Sequence, residues 1–208
     1  MVPRPSQRPY NVEYYRRNHD LELQRVRVRQ AGMVELLRDL RRVPCTDCGG
    51  TFRPHQMDFD HREPTTKAFN VMAGRTMLMS TQRVLAEVAK CDIVCVNCHR
   101  IRTRDAERRR PRRPVSTALV QVLRLRRWRE QAGLLDRLRS ISCADCGGHF
   151  EACAMDFDHR KPAEKRYTVT RMVGRQPSAT IMDEVAKCDI VCANCHRLRT
   201  WAARTERE

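Results

Sequence analysis

The chain has 208 residues and a formal net charge of +16, from 41 lysines plus arginines against 25 acidic residues. Only five of those basic residues are lysine, and the arginine guanidinium grips phosphate with two parallel hydrogen bonds. The balance argues against basic partners and for a polyanion, although a solvated, arginine-biased surface would give the same total.

In chain order, residues 1–30 read as a polar, basic leader, with Tyr10, Tyr14 and Tyr15 set among arginines that could track a nucleic-acid backbone. The opening MVPRPSQRPYNVEYYRRNHD lacks the apolar core of a secretory signal. No stretch approaches the ~20 apolar residues that cross a bilayer. The expectation is a cytoplasmic protein with no membrane association, in which paired cysteines more often hold metal than form disulfides.

Two units follow, 31–103 and 116–208, joined by the charged, proline-interrupted stretch 104–115, which reads as a linker. The first carries CTDCGG at 45–50, MDFDHREP at 57–64 and EVAKCDIVCVNCHRIRT at 87–103. The second carries CADCGG at 143–148, MDFDHRKP at 155–162 and EVAKCDIVCANCHRLRT at 184–200. The offset is 98 residues, falling to 97 after a one-residue deletion, so this is one unit used twice rather than a solenoid.

Within each unit an amphipathic helix precedes the first cysteine pair. Val34, Leu37 and Leu40 mark it in the first copy; Leu123, Leu134, Leu135 and Leu138 lie in a longer run over 116–141, with Gly133 as a candidate interruption. MDFDH reads as a strand with Met57, Phe59 and His61 on one face and Asp58 and Asp60 on the other. A strand ending between Asp60 and His61 would let both flank one pocket. The second cysteine pair is expected at the start of a helix running through HRIRT, which carries His99 on its first turn.

Each core, from first cysteine to HRxRT, spans about 60 residues, a size that usually needs a staple. Cys45, Cys48, Cys95 and Cys98, and likewise Cys143, Cys146, Cys192 and Cys195, form two CxxC pairs per copy, the pattern of a tetrahedral structural Zn²⁺. Gly49 and Gly50, with Gly147 and Gly148, relax the backbone after the first knuckle. Cys91, Cys188 and Cys153 read as packing residues. A closed four-thiolate site has no open position for chemistry, so zinc leaves the repeated Asp-His and Cys-His text unexplained.

Taken together, CxxC, a DH with proline three residues on, and CxxCHxxRT resemble the HNH endonuclease family in its four-cysteine zinc form. The resemblance covers 45–103 and 143–200. It implies an α+β fold of two tandem ββα-metal units with flanking helices, hydrolysing phosphodiester bonds in DNA, duplex DNA foremost. His61 and His159 would be general bases. Asp60 with His99, and Asp158 with His196, would hold a catalytic Mg²⁺ or another divalent cation. Arg102 and Arg199 would contact phosphate, and Arg62, Arg100, Arg160 and Arg197 join them as nucleic-acid candidates, the rim positions Arg62 and Arg160 reading equally as solvated.

The chemistry suits those residue types. An imidazole accepts a proton from water near neutral pH, and a cation with two protein ligands keeps positions open for phosphate. Asp58 and Asp156 are read either as supports for the ligand histidines or as solvated groups. The family's central Asn has no counterpart in AEVAKCDIVC or DEVAKCDIVC. Asp92 and Asp189 are candidates to tether the loop instead, and Asn97 and Asn194 to tie the knuckle turn. Two centres in one chain suggest a monomeric pseudo-dimer cutting both strands. The competing reading is a non-catalytic zinc-finger nucleic-acid binder, which does not require the repeated histidines.

Overall fold

A computed structural model describes residues 12–74, 78–110 and 118–205. The chain is α+β, with two small two-stranded sheets. By its contacts it divides into two compact bodies. Among the described residues, one holds those up to Arg41 together with those of His61–Cys91; the other holds Arg42–Asp60 and those from Asp92 on. This partition differs from the repeat boundary, because it falls inside the first copy between Asp60 and His61 and between Cys91 and Asp92.

The first body is built on helix α1, Val12–Leu40. Helical order therefore reaches well back into the stretch read as a leader, while residues 1–11 lie outside the described residues. Of the apolar stripe, Leu37 is fully buried and Met33, one turn earlier, is buried with it; Val34 and Leu40 lie at the margin. Helix α2, Thr81–Val88, starts where Ser80 caps it by accepting the Arg83 N–H. It buries Val84 and Glu87, three residues apart on one face. Gly74 lies so close to Val84 that a side chain there would meet its methyl at 2.7 Å.

The second body contains most of both sheets. Strand β1, Met57–His61, pairs with β2, Cys91–Cys95, and helix α3, Val96–Arg109, follows at once. Residues 104–109, read as linker, are thus the last turns of α3, and 111–117 lie outside the described residues. In the second copy, α4 spans Leu119–Leu138 and passes through Gly133 without a break. Strand β3, Met155–His159, runs antiparallel to β4, Cys188–Cys192, from Met155 opposite Cys192 to His159 opposite Cys188. Short helices α5, Val169–Met172, and α6, Ser178–Val185, lie between them in the chain, and α7, Ala193–Thr205, closes it.

Helix α4 braces its own copy. Leu135 packs with Val169, Met172, Ile181 and Cys188, and buried Gln131 accepts the Gly174 N–H while donating to the Gln176 carbonyl. The copies meet elsewhere. Helix α3 packs on the turn 152–154, α7 packs on the equivalent turn 54–56, and α3 packs on α7. At the centre the Asn97 N–H donates to Asn194 Oδ1 (3.3 Å) and the Asn194 N–H to Asn97 Oδ1 (3.0 Å). These asparagines tie one copy to the other rather than their own knuckle turns. Among the described residues no helix is long and apolar enough to cross a membrane.

Candidate metal and Asp-His centres

Each four-cysteine group converges as the spacing predicts. The Sγ atoms of Cys45, Cys48, Cys95 and Cys98 lie within 4.8 Å of one another, as do those of Cys143, Cys146, Cys192 and Cys195. All eleven cysteines are free thiols. The first knuckle turns on Gly49 (φ +67°) and Gly147 (φ +69°), left-handed positions that glycine adopts without a steric penalty. The next glycines face Phe52 and Phe150, and a Cβ at either would sit 2.8 Å from the ring. The second knuckle sits at the helix start, with Cys95 and Cys192 directly before α3 and α7.

The thiols are prepared to be ligands. Burial works against ionising Cys45, but N–H groups of Cys48, Cys95 and Asp47 bring it down to about 7, and Cys143 behaves alike. The Cys95 N–H lies 3.2 Å from the Cys45 sulfur, and the Cys192 N–H 3.1 Å from that of Cys143. Burial, with neighbouring sulfurs next, pushes Cys98 and Cys195 strongly upward. Four crowded sulfurs cannot all be thiolates without a cation among them, so the donor set fits a metal ion. Cys91 and Cys188 stay outside both groups, buried, with each Sγ donating to the carbonyl of Glu87 or Glu184.

The Asp-His residues form a second motif, seen whole in the second copy. A cavity of about 240 Å³ is lined by Asp156, Asp158, His159, Lys165 and His196, among others. Strand β3 does not end between Asp158 and His159 but includes both; His159 is the last residue of its ladder, and both still reach the cavity. His196 Nε2 lies 3.6 Å from Asp158 Oδ1. On its other side His196 Nδ1 donates to Asp156 Oδ2 at 2.8 Å. Asp158 Oδ2 in turn accepts from Arg199 at 3.0 Å.

The first copy repeats these distances. In the second body His99 Nε2 is 3.6 Å from Asp60 Oδ1, and His99 Nδ1 donates to Asp58 Oδ2 at 2.9 Å. Asp58 and Asp156 are therefore hydrogen-bonded supports for His99 and His196 rather than solvated groups. Burial pushes these carboxyls up, but hydrogen bonds from the histidine and an arginine overcome it and bring both to about 2. The Asp58 and Asp156 hydrogen bonds raise His99 and His196 above the ordinary histidine value.

His61 and His159 are held by a residue the sequence reading passed over. His159 Nε2 is 2.8 Å from Glu184 Oε1, and in the first body His61 Nε2 is 2.8 Å from Glu87 Oε1. The His side chains are only 6% and 7% exposed, and the glutamates are buried. Each glutamate also accepts backbone N–H groups of the loop after the strand: Ala68 and Phe69 for Glu87, Arg166 and Tyr167 for Glu184. Glu87 is lowered to about 2, chiefly by Lys90; for Glu184 burial opposes the shift, but Lys187 and the loop N–H groups bring it to about 2. A carboxylate on Nε2 fixes the tautomer with the lone pair on Nδ1. Loop tethering thus falls to Glu87 and Glu184. Asp92 and Asp189, the residues proposed for it, bind Arg102 and Arg199 at 3.0 Å. The signal available was an acidic residue repeated on the buried stripe of a short helix, EVAKC in both copies.

The arginines read as phosphate contacts all have partners within the chain. Arg102 bridges Asp47, Asp60 and Asp92, and Arg199 bridges Asp145, Asp158 and Asp189. Arg62 holds the carbonyls of Ala89 and Cys91, and Arg160 those of Ala186 and Cys188. Arg100 and Arg197 each cross to an aspartate of the other copy. Compared with protein-family models, with curated proteins and with solved structures, the chain matches none.

Proposed function

We propose that the chain is a metal-dependent HNH-type endonuclease with two hydrolytic centres, each a ββα-metal unit stapled by a structural Zn²⁺. The observation that carries this reading is the pair of matched Asp-His constellations, with the ligand atoms 3.6 Å apart in both copies. Asp60 with His99, and Asp158 with His196, would hold a divalent cation. Bound there, a divalent cation would neutralise charge building on the phosphate and on the leaving oxygen.

The protein's own groups supply the rest. Asp156 holds the His196 proton on Nδ1 and so turns the Nε2 lone pair toward Asp158. Arg199 takes one oxygen of Asp158 and leaves the other facing His196. Glu184 holds the proton of His159 on Nε2, which makes Nδ1 the atom that accepts a proton from water. Lys165 lines the cavity, and its ammonium would meet a phosphate oxygen there. The net charge of +16 suits a DNA backbone as the substrate surface.

The test is incubation of the zinc-loaded protein with supercoiled plasmid and Mg²⁺ or Mn²⁺, with and without EDTA, beside a His61→Ala/His159→Ala double variant. Metal-dependent cutting that the double variant loses supports the reading. Binding without cutting, indifferent to both histidines across several metals and substrates, would replace it with a zinc-finger nucleic-acid binder.

A further inference from the structure

The second body contains a swap. Asp58, which orients His99 of its own copy through Oδ2, gives Oδ1 to Arg197 of the other copy at 2.6 Å; Arg197 also reaches Oδ2 at 3.3 Å. The exchange is reciprocal. Asp156, which orients His196 through Oδ2, gives Oδ1 to Arg100 of the first copy at 2.7 Å. Arg100 and Arg197 occupy equivalent positions, each directly after its copy's ligand histidine. An arginine serving its own copy would have given a tandem pair of self-contained centres. Here the equivalent residues exchange carboxylates, as side chains do across a two-fold interface.

The geometry leaves each aspartate little freedom. Its side chain is 23% exposed at Asp58 and 20% at Asp156, with one oxygen committed to a histidine and the other to an arginine. Removing the arginine leaves the carboxylate free to rotate, and the imidazole it orients rotates with it. We infer that Arg197 and Arg100 are positioning residues acting across the copies, each fixing the carboxylate that aims the cation-ligand histidine of the opposite copy, so that neither centre is complete without the other. The inference rests on the nuclease reading for its kinetic consequence but not for its geometry.

Two measurements on the full-length, zinc-loaded chain test it. The first reads one centre at a time by plasmid nicking, with His159→Ala leaving the first centre and His61→Ala the second. Loss of an outer partner of a metal ligand lowers activity or metal affinity by about tenfold or more. Arg197→Gln should therefore lower nicking about tenfold in the His159→Ala background, and Arg100→Gln about tenfold in the His61→Ala background, with a smaller loss in each opposite pairing. Raising Mn²⁺ should recover part of the loss, and Arg197→Lys, which keeps the charge, should recover part as well. The second measurement is the ¹⁵N imidazole spectrum, where Arg197→Gln should shift His99 and spare His196, and Arg100→Gln the reverse. Losses confined to the variant's own copy, or equal at both centres, would overturn the inference. If the wild type cuts nothing, the nuclease reading falls and the imidazole spectrum alone decides: the crossed shifts uphold the positioning role, and their absence ends it.

Discussion

The two copies share their Asp-His residues and their short distances, yet they are fastened differently. The second copy lies within one compact body, with α4 packed over its sheet and Gln131 bracing the 174–178 turn. The first is divided, so that His61 and Glu87 belong to one body and Asp58, Asp60 and His99 to the other. The turn before the strand differs too. In the first copy His55 stacks on Trp201 at 4.7 Å and Gln56 donates to the Asn194 carbonyl. The equivalent residues of the second copy, Cys153 and Ala154, offer neither contact, and the position equivalent to Trp201 is Arg104, which reaches Asp136 instead. Identical text sets the distances at the centres; the differing text sets how each centre is held.

The largest effect expected is from the knuckles. Cys95→Ala and Cys192→Ala should each lower the bound metal from two structural ions to one and abolish cooperative unfolding of that copy. Structural zinc contributes on the order of 10 kcal/mol of folding free energy. Elemental analysis with thermal melts checks this, and strong chelation of the wild type should reproduce the loss in both copies. Next in size, on the proposed nuclease reading, are the candidate bases. His61→Ala and His159→Ala should each reduce hydrolysis at its own centre by about 10²-fold or more, so that linear product gives way to nicked circles. Unchanged double-strand cutting by both single variants would remove the two-centre reading.

A smaller loss is expected at the loop tethers. Glu87→Ala and Glu184→Ala free two loop N–H groups and the histidine partner, and should lower Tm by about 5 °C. Both glutamates are held near 2, below their ordinary value. A depressed carboxyl stabilises the fold above its unfolded pKa, so their contribution is whole above ~4.5 and fades as pH falls toward 2. Acid titration of the wild type against Glu87→Gln/Glu184→Gln should show that dependence flattened in the variant. The smallest change separates the copies: Trp201→Ala should cost about 1 kcal/mol by losing the His55 stack and the Arg53 cation–π contact at 5.6 Å, seen as a shift in urea midpoint with the slope unchanged.

The cysteine groups and the Asp-His pairs were legible because ligand spacing is a local property and the repeat doubled every signal. The helix starts at the second knuckles were legible for the same reason. Glu87 and Glu184 were not, since nothing near them in sequence says that a loop 17 to 19 residues away will need an acceptor. The carboxylate partners of the arginines were not legible for a chemical reason: a guanidinium fits a carboxylate and a phosphate with the same fork, and composition does not show which carboxylates folding brings to it. Asn97 and Asn194 looked like turn residues because a cross-copy partner is invisible to any local window. Helix α1 was missed before residue 31 because its first half has no continuous apolar stripe, leaving Leu21, Leu23 and Val28 exposed.

The asparagine exchange joins residues 97 positions apart. During synthesis the first knuckle is therefore finished long before its counterpart has left the ribosome, and its Asn97 amide waits without its acceptor for the whole of that interval. Such a delay puts a self-complementary surface on a nascent chain, and neighbouring nascent chains on one message carry the same surface. The seam that joins two copies within one molecule has the same reciprocal form as a contact between two molecules, the geometry from which exchanged dimers are built.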